Sequence, residues 1–253
     1  MKKTQSELNV KLTIEYDGKN YFGWQRQTNK PTIQETIEKS LQLLFPGGKI
    51  KLTGAGRTDT GVHAIGQIAN FCIGRRHFEK FGKERFLKSL NAVLPGDISV
   101  NGMKIVNAGF HSRYSALGRT YKYYISTSKH GLNGDKYYFL KTKFDIDLAK
   151  EFCKLLVGAH SFKAFCKNKE DDHDFYCDVI SSGVRKMKNG VIEFEITANR
   201  FLHSMVRAIA GVMIKIATGK ISINEFKQKF KKGEKLTIQY APSNALVLFK
   251  IKY

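Results

Sequence analysis

The apolar residues of this chain switch between the period of a strand and the period of a helix in both halves of the sequence, without settling into a steady strand-helix-strand alternation. Leu8, Val10, Leu12, Ile14 and Tyr16 alternate with polar residues, as in a strand with one buried face, and Asp17-Gly18 ends it as a turn. Thr32 and Glu35 form a capping-box pattern, Ile33, Ile37, Leu41 and Leu44 share one helical face, and Pro46-Gly47-Gly48 stops the helix. Residues 49–53 read as a short strand, Gly54-Ala55-Gly56 as a loop, and residues 66–73 as another strand. A helix over 85–93 ends at Pro95-Gly96-Asp97, and residues 98–106 read as extended.

The second half opens near Asn107-Ala108-Gly109. Tyr121, Tyr123 and Ile125 alternate in a strand, a helix begun by Asp147 is closed by Gly158, and Ile192, Phe194 and Ile196 mark a further strand. Met205, Ile209, Val212, Met213 and Ile216 form the apolar side of a helix terminated by Gly219, Ser222 with Glu225 caps the next, and Leu246, Leu248 and Phe249 lie in a final strand. The basic run 227–235 reads as a solvated helix end. This interspersed order predicts an α+β fold with a mixed, largely antiparallel sheet.

The chain carries 43 Lys and Arg against 22 Asp and Glu, a formal charge of +21 spread along its length, which points to a nucleic-acid partner. A Lys-rich compositional bias would give the same excess, and Lys does outnumber Arg. No apolar stretch approaches the roughly 20 residues of a membrane span, and the first residues lead into no apolar signal core. Cys72, Cys153, Cys166 and Cys177 contain no Cys-x-x-Cys pair and are too few to staple a chain of 253 residues, so reduced thiols in cytoplasm are expected.

Three segments combine residue types that could carry chemistry. The first, residues 54–64, packs Arg57, Thr58, Asp59 and His63 into a glycine-rich loop, which can present a carboxylate close to a substrate backbone; turn-forming Asp and surface ion pairs produce similar patterns. The second interleaves Arg113, Arg119 and Lys122 with Tyr114, Tyr121, Tyr123 and Tyr124, aromatics for bases and cations for phosphates, or else a strand whose tyrosines pack in a core. The third carries Arg200, His203 and Arg207 into an apolar helix; a cation near a buried face needs a carboxylate partner, unless it snorkels at the helix edge. His173, Cys177 and Cys166 lack the ligand spacing of a zinc site, and neither a metal nor a nucleotide-cofactor motif is expected.

Read together, these segments resemble the TruA-type tRNA pseudouridine synthases, in order and over nearly the whole chain. The resemblance rests on Tyr16-Asp17-Gly18 with Gly23-Trp24-Gln25-Arg26-Gln27, Thr32-Ile33-Gln34-Glu35, Gly56-Arg57-Thr58-Asp59, Phe110-His111-Ser112-Arg113 and Arg119-Thr120-Tyr121-Lys122-Tyr123. Gly158-Ala159-His160-Ser161-Phe162, residues 201–207, and Ala241-Pro242 with Leu246 complete it. It implies the pseudouridine synthase fold, two α/β lobes with sheets joined across a basic cleft: an N-terminal lobe over 1–108 carrying the Asp loop and a C-terminal lobe over 109–253 carrying the RNA-facing motifs. It also implies a cofactor-free cytoplasmic enzyme, usually a homodimer, that isomerises uridine to pseudouridine at positions 38 to 40 of tRNA.

By the same resemblance Asp59 is the catalytic carboxylate, Arg57 displaces and holds the target nucleotide, Tyr121 is the platform for its base, Arg207 is the ion-pair partner of Asp59, and Leu246 lines the pocket. Arg113, Arg119, Lys122, Arg200 and His203 are expected to contact RNA. Thr60 and Ala245 stand where the family usually has Ala and Gly, and residues 167–178 are acidic where a basic segment is usual. A catalytically silent tRNA-binding protein or RNA chaperone would use the same basic surface, but its hallmark, loss of Asp59 or Arg207, is missing here.

Overall fold

The computed structural model describes residues 7–46, 50–79, 81–167, 174–234 and 236–253. Among these the elements are β1 (Glu7–Tyr16), α1 (Ile33–Leu44), β2 (Thr53–Gly54), β3 (His63–Gly74), α2 (Arg75–Glu79), α3 (Lys83–Val93), β4 (Ile98–Val106) and β5 (Gly118–Ser126). They continue as β6 (Tyr138–Phe139), α4 (Ile146–Leu156), β7 (Gly158–Ser161), β8 (Tyr176–Lys186), β9 (Ile192–Ala198), α5 (Met205–Ala217), α6 (Ile223–Lys232) and β10 (Leu246–Lys252). The fold is α+β, and the chain forms two compact units, Met1–Leu117 with Leu248–Tyr253, and Gly118–Val247.

In the first unit the strands lie in the order β4-β1-β3-β10, with β2 also on β3. β1 is central and pairs antiparallel with both neighbours, Leu12 opposite Ala69 on one side and Met103 on the other. The expected alternation in β1 breaks at Asn9, which is buried between Leu8 and Val10. Its amide group donates to the carbonyl oxygens of Asn107 at 3.1 Å and Phe110 at 2.8 Å, and its side-chain oxygen accepts from Asn70 at 2.9 Å, so a polar side chain is satisfied inside the sheet.

Helix α1 buries Ile33, Ile37 and Leu41 completely, each worth about 1.5–3 kcal/mol of transfer free energy. The capping box expected at its start is absent: Thr32 makes no side-chain cap bond, and its buried Oγ1 has no hydrogen-bond partner among the described residues. Glu35 instead meets Lys39 at 3.1 Å, one helical turn along. Ser222 likewise makes no side-chain cap on α6, where Glu225 pairs with Lys229 at 2.7 Å. Thr and Ser at these positions mark where each helix begins without supplying the expected bond.

In the second unit the strands run β5-β9-β8-β7, each pair antiparallel, while β6 pairs parallel with β5. Helix α4 starts at Ile146 rather than Asp147, because Asp145 is the cap: its Oδ1 accepts from the amides of Asp147 at 2.9 Å and Leu148 at 3.1 Å. Phe152, Phe162, Phe165, Phe226 and Phe230 pack as an aromatic cluster between helices and β7. Helix α5, read from sequence as one-sided, is buried all round except at Arg207 and Lys215.

Strand β8 fills a stretch for which the sequence pattern suggested no element. Its register shifts between Val179 and Ser181, and Ser181-Ser182-Gly183 resembles a turn, which together hide the period of two. Residues 168–173, with His173 and most of the acidic stretch, lie outside the described residues, as do Gly47 and Gly48 of the expected helix stop.

Candidate active site

The loop that carries Asp59 is held by groups on three segments of the first unit, β1, residues 23–24 and β3. Gly54 lies under Trp24, so close that a Cβ there would stand 2.5 Å from the indole nitrogen. The Gln67 side chain on β3 donates through Nε2 to the Gly56 carbonyl at 3.0 Å, and the amide of Trp24 donates to the Thr58 carbonyl at 3.1 Å. Thr58 Oγ1 lies 2.8 Å from Tyr16 Oη, hydroxyl to hydroxyl.

Only Gly serves at position 23, where φ is +88° and a Cβ would come within 2.5 Å of the Thr58 oxygen. Beyond the loop, the amide of Val62 donates to the Asp59 carbonyl at 3.1 Å. His63 Nδ1 accepts from the amide of Gly18 at 3.1 Å, which ties the start of β3 to the turn after β1.

The result is an alternation along the loop: Arg57 is exposed, Thr58 buried and Asp59 half-buried. The residue between the cation and the carboxylate is locked inward, while the cation is exposed and the carboxylate partly accessible. A carboxylate so presented can attack an electrophilic carbon or stabilise positive charge at a sugar. Arg113, also in this unit, is exposed and its guanidinium lies 5.7 Å from the ring centre of Tyr114.

The second unit carries the other expected site residues. Tyr121 lies on β5, 8% exposed, with its ring edge-on to Phe201 at 5.2 Å and 88°. Tyr123, two residues along the same strand face, is fully buried; burial pushes its phenol far above the ordinary range, against the opposing pull of the Arg207 charge. Arg207 is half-buried, and its Nε donates to the Ala241 carbonyl at 2.9 Å. Leu246 is buried at the start of β10.

The residues expected to contact RNA fall into different settings. Arg119 donates to the Asn199 carbonyl at 2.6 Å, Arg200 lies 3.5 Å from Asp174, and His203 is exposed. Lys122 departs from the expectation: it is 7% exposed and its Nζ lies 3.1 Å from both Glu193 and Glu195. Glu193 is held on its other oxygen by Arg185 at 2.7 Å. Lys122 therefore completes an ion-pair cluster across β5, β9 and β8, since a buried ammonium is tolerated only with such partners.

Sequence reasoning missed Gln67, and took Tyr16 as the last apolar position of β1 and as part of the Tyr16-Asp17-Gly18 motif, without a bond to the Asp59 loop. The available signal was a phenol at a buried strand position, because most buried hydroxyls take a partner.

A family model described as tRNA pseudouridine synthase matches residues 12–115 and 152–253. The tRNA pseudouridine synthase A of Caldicellulosiruptor bescii is 38% identical over 243 residues, covering 90% of this chain and 94% of the relative. That of Acetivibrio thermocellus is 36% identical, covering 97% of this chain and 99% of the relative, and that of Bacillus subtilis is 34% identical with the same coverage.

Proposed function

The chain belongs to the tRNA pseudouridine synthase family, and from that premise we propose that it isomerises uridine to pseudouridine in tRNA with Asp59 as the catalytic carboxylate. The observation that carries the assignment of Asp59 is its loop: Gly56 and Thr58 are bonded to the interior while Arg57 is exposed and Asp59 partly accessible. The bond from N1 of uracil to C1′ breaks, the base turns, and C5 bonds to C1′ instead. The proton on C5 leaves to solvent and N1 gains one, so the overall change is an isomerisation. Asp59 serves as nucleophile or charge stabiliser at the sugar during the interval in which the base is detached.

The uridine has to leave its stack first, at a cost of a few kcal/mol, and Tyr121 offers a replacement surface while Arg57 occupies the vacated space. Arg207 and Leu246 complete the contacts to the target nucleotide, and Arg113, Arg119, Arg200 and His203 meet the RNA backbone. The excess of 21 positive charges supports a polyanionic substrate. Family resemblance supports positions 38 to 40 as the target, a homodimer as the working form and the cytoplasm as its place. No helix among the described residues is long and apolar enough to cross a membrane.

Tritium release from tRNA labelled at uridine C5 tests the proposal. Release by the wild type and its loss in Asp59→Asn, with tRNA binding retained, is the expected result. Turnover retained in Asp59→Asn would remove Asp59 from the reaction, and absence of release by the wild type would favour a binding protein.

A further inference from the structure

Two buried polar side chains on the strands beneath the Asp59 loop have no access to RNA, yet each is bonded to the loop itself. Tyr16 is 3% exposed at the end of β1, and Gln67 is fully buried in β3. Burial drives the Tyr16 phenol far above its ordinary range, with hydrogen bonds to Thr58 and Gln67 opposing only in part, so it stays a neutral hydrogen-bonding group. Its oxygen lies 2.8 Å from Thr58 Oγ1, and Gln67 Nε2 lies 3.0 Å from the Gly56 oxygen. Gln67 also accepts from the amide of Ile68 at 3.1 Å through its other side-chain atom, which fixes the orientation of its amide group.

On the reading that Asp59 is catalytic, we infer that Tyr16 and Gln67 are positioning residues for it. They hold alternate loop residues, 56 and 58, against the sheet. The backbone of Arg57 and Asp59 is thereby left little freedom, although neither side chain is touched by Tyr16 or Gln67 in any contact described above. The Trp24 amide, bonded to the Thr58 carbonyl at 3.1 Å, is a third tie on the same residue. A catalytic carboxylate displaced by about 1 Å loses on the order of a hundredfold in rate, so a brace of this kind acts on the chemical step more than on binding.

The test uses the full chain with Tyr16→Phe, Thr58→Val and the double variant, together with Gln67→Leu. Each is measured for single-turnover tritium release, for tRNA dissociation constant and for melting temperature. Tyr16→Phe is expected to slow the single-turnover rate between about tenfold and a hundredfold, with affinity changed less than about threefold. The double variant is expected to be no slower than the slower single variant, because both remove one hydroxyl pair.

Wild-type rates in a folded Tyr16→Phe protein would overturn the inference. A parallel loss of affinity and rate, or a double variant in which the two losses multiply, would also overturn it. Those outcomes leave the function proposed above intact, since the wild type is active in each. An inactive wild type would overturn both together. Gln67→Leu supplies the second route: a rate loss with unchanged affinity supports the brace, and full activity removes Gln67 from it.

Discussion

Arg207 and Ala241 hold each other at two points: Arg207 Nε donates to the Ala241 carbonyl at 2.9 Å, and the Ala241 amide donates to the Arg207 carbonyl at 3.0 Å. One turn along α5, Gly211 allows the neighbouring backbone of Gln239 to come so close that a Cβ would stand 1.9 Å from its oxygen. The segment before β10 is thus clamped along α5, and the guanidinium is oriented by backbone rather than left to swing. Only Arg, with an Nε–H as well as its terminal fork, can hold that carbonyl and still present two nitrogens elsewhere.

Arg207→Lys is accordingly expected to keep the charge and the backbone bond to Ala241 but lose the side-chain bond. Stability should fall by about 1 kcal/mol, the worth of one hydrogen bond. Single-turnover rate should fall more than tRNA affinity, because a lysine ammonium is not held in one orientation. Thermal melting and single-turnover assays of the same preparation check both; a variant with wild-type rate would show that the orientation of the guanidinium is unimportant.

Lys122→Met separates a sheet ion pair from an RNA contact. With Glu193 3% exposed, removal of the ammonium leaves a buried carboxylate short of a partner, a change that costs about 3–5 kcal/mol when the pair is fully buried. Arg185 remains on the other oxygen, so the lower end of that range is expected. The salt dependence of tRNA binding by the folded fraction should match the wild type, whereas Arg113→Ala should lower its slope. A reduced slope in Lys122→Met with unchanged stability would return Lys122 to the RNA surface.

Alkaline pH should destabilise the protein through its buried acids. Burial raises the Cys153 thiol from 9.0 to about 11. A raised value means that the folded form keeps its proton while the unfolded chain ionises first. The associated stability is therefore complete below about pH 8 and is lost as pH rises through 9 towards 11, by at most about 3 kcal/mol from this group. The raised phenols of Tyr16 and Tyr123 act in the same direction at higher pH. Denaturant unfolding at pH 7.5 and 10.5 checks it, and Cys153→Val should flatten the difference.

The order of elements was legible wherever one face of an element is buried and the other wet, as in α1, or where a glycine ends a helix, as Gly219 with φ +72° does after α5. It was hidden in β8, where a register shift breaks the period, and it misjudged α5, whose polar neighbours in sequence gave no sign that segment 239–241 covers its remaining face. The displayed residues of the candidate site, Arg57 and Asp59, stood out because charged residues in a glycine-rich loop are conspicuous. Their support did not, since Gln67 reads as an ordinary strand position and Tyr16, though part of the Tyr16-Asp17-Gly18 motif, gives no sign of its bond to Thr58.

The sequence by itself determined the mixed order of strands and helices, the basic surface suited to RNA, and the family to which the motifs belong. These depend on residue type and on spacing along the chain, which are local. Only the tertiary structure decided that Lys122 is spent on Glu193 and Glu195, that Arg207 is clamped to Ala241, and that Tyr16 and Gln67 reach under the Asp59 loop. Each of those pairings joins residues distant in sequence. A buried hydrogen-bonding or charged group that is satisfied takes whatever partner the folded chain brings beside it, and that partner is therefore a property of the fold.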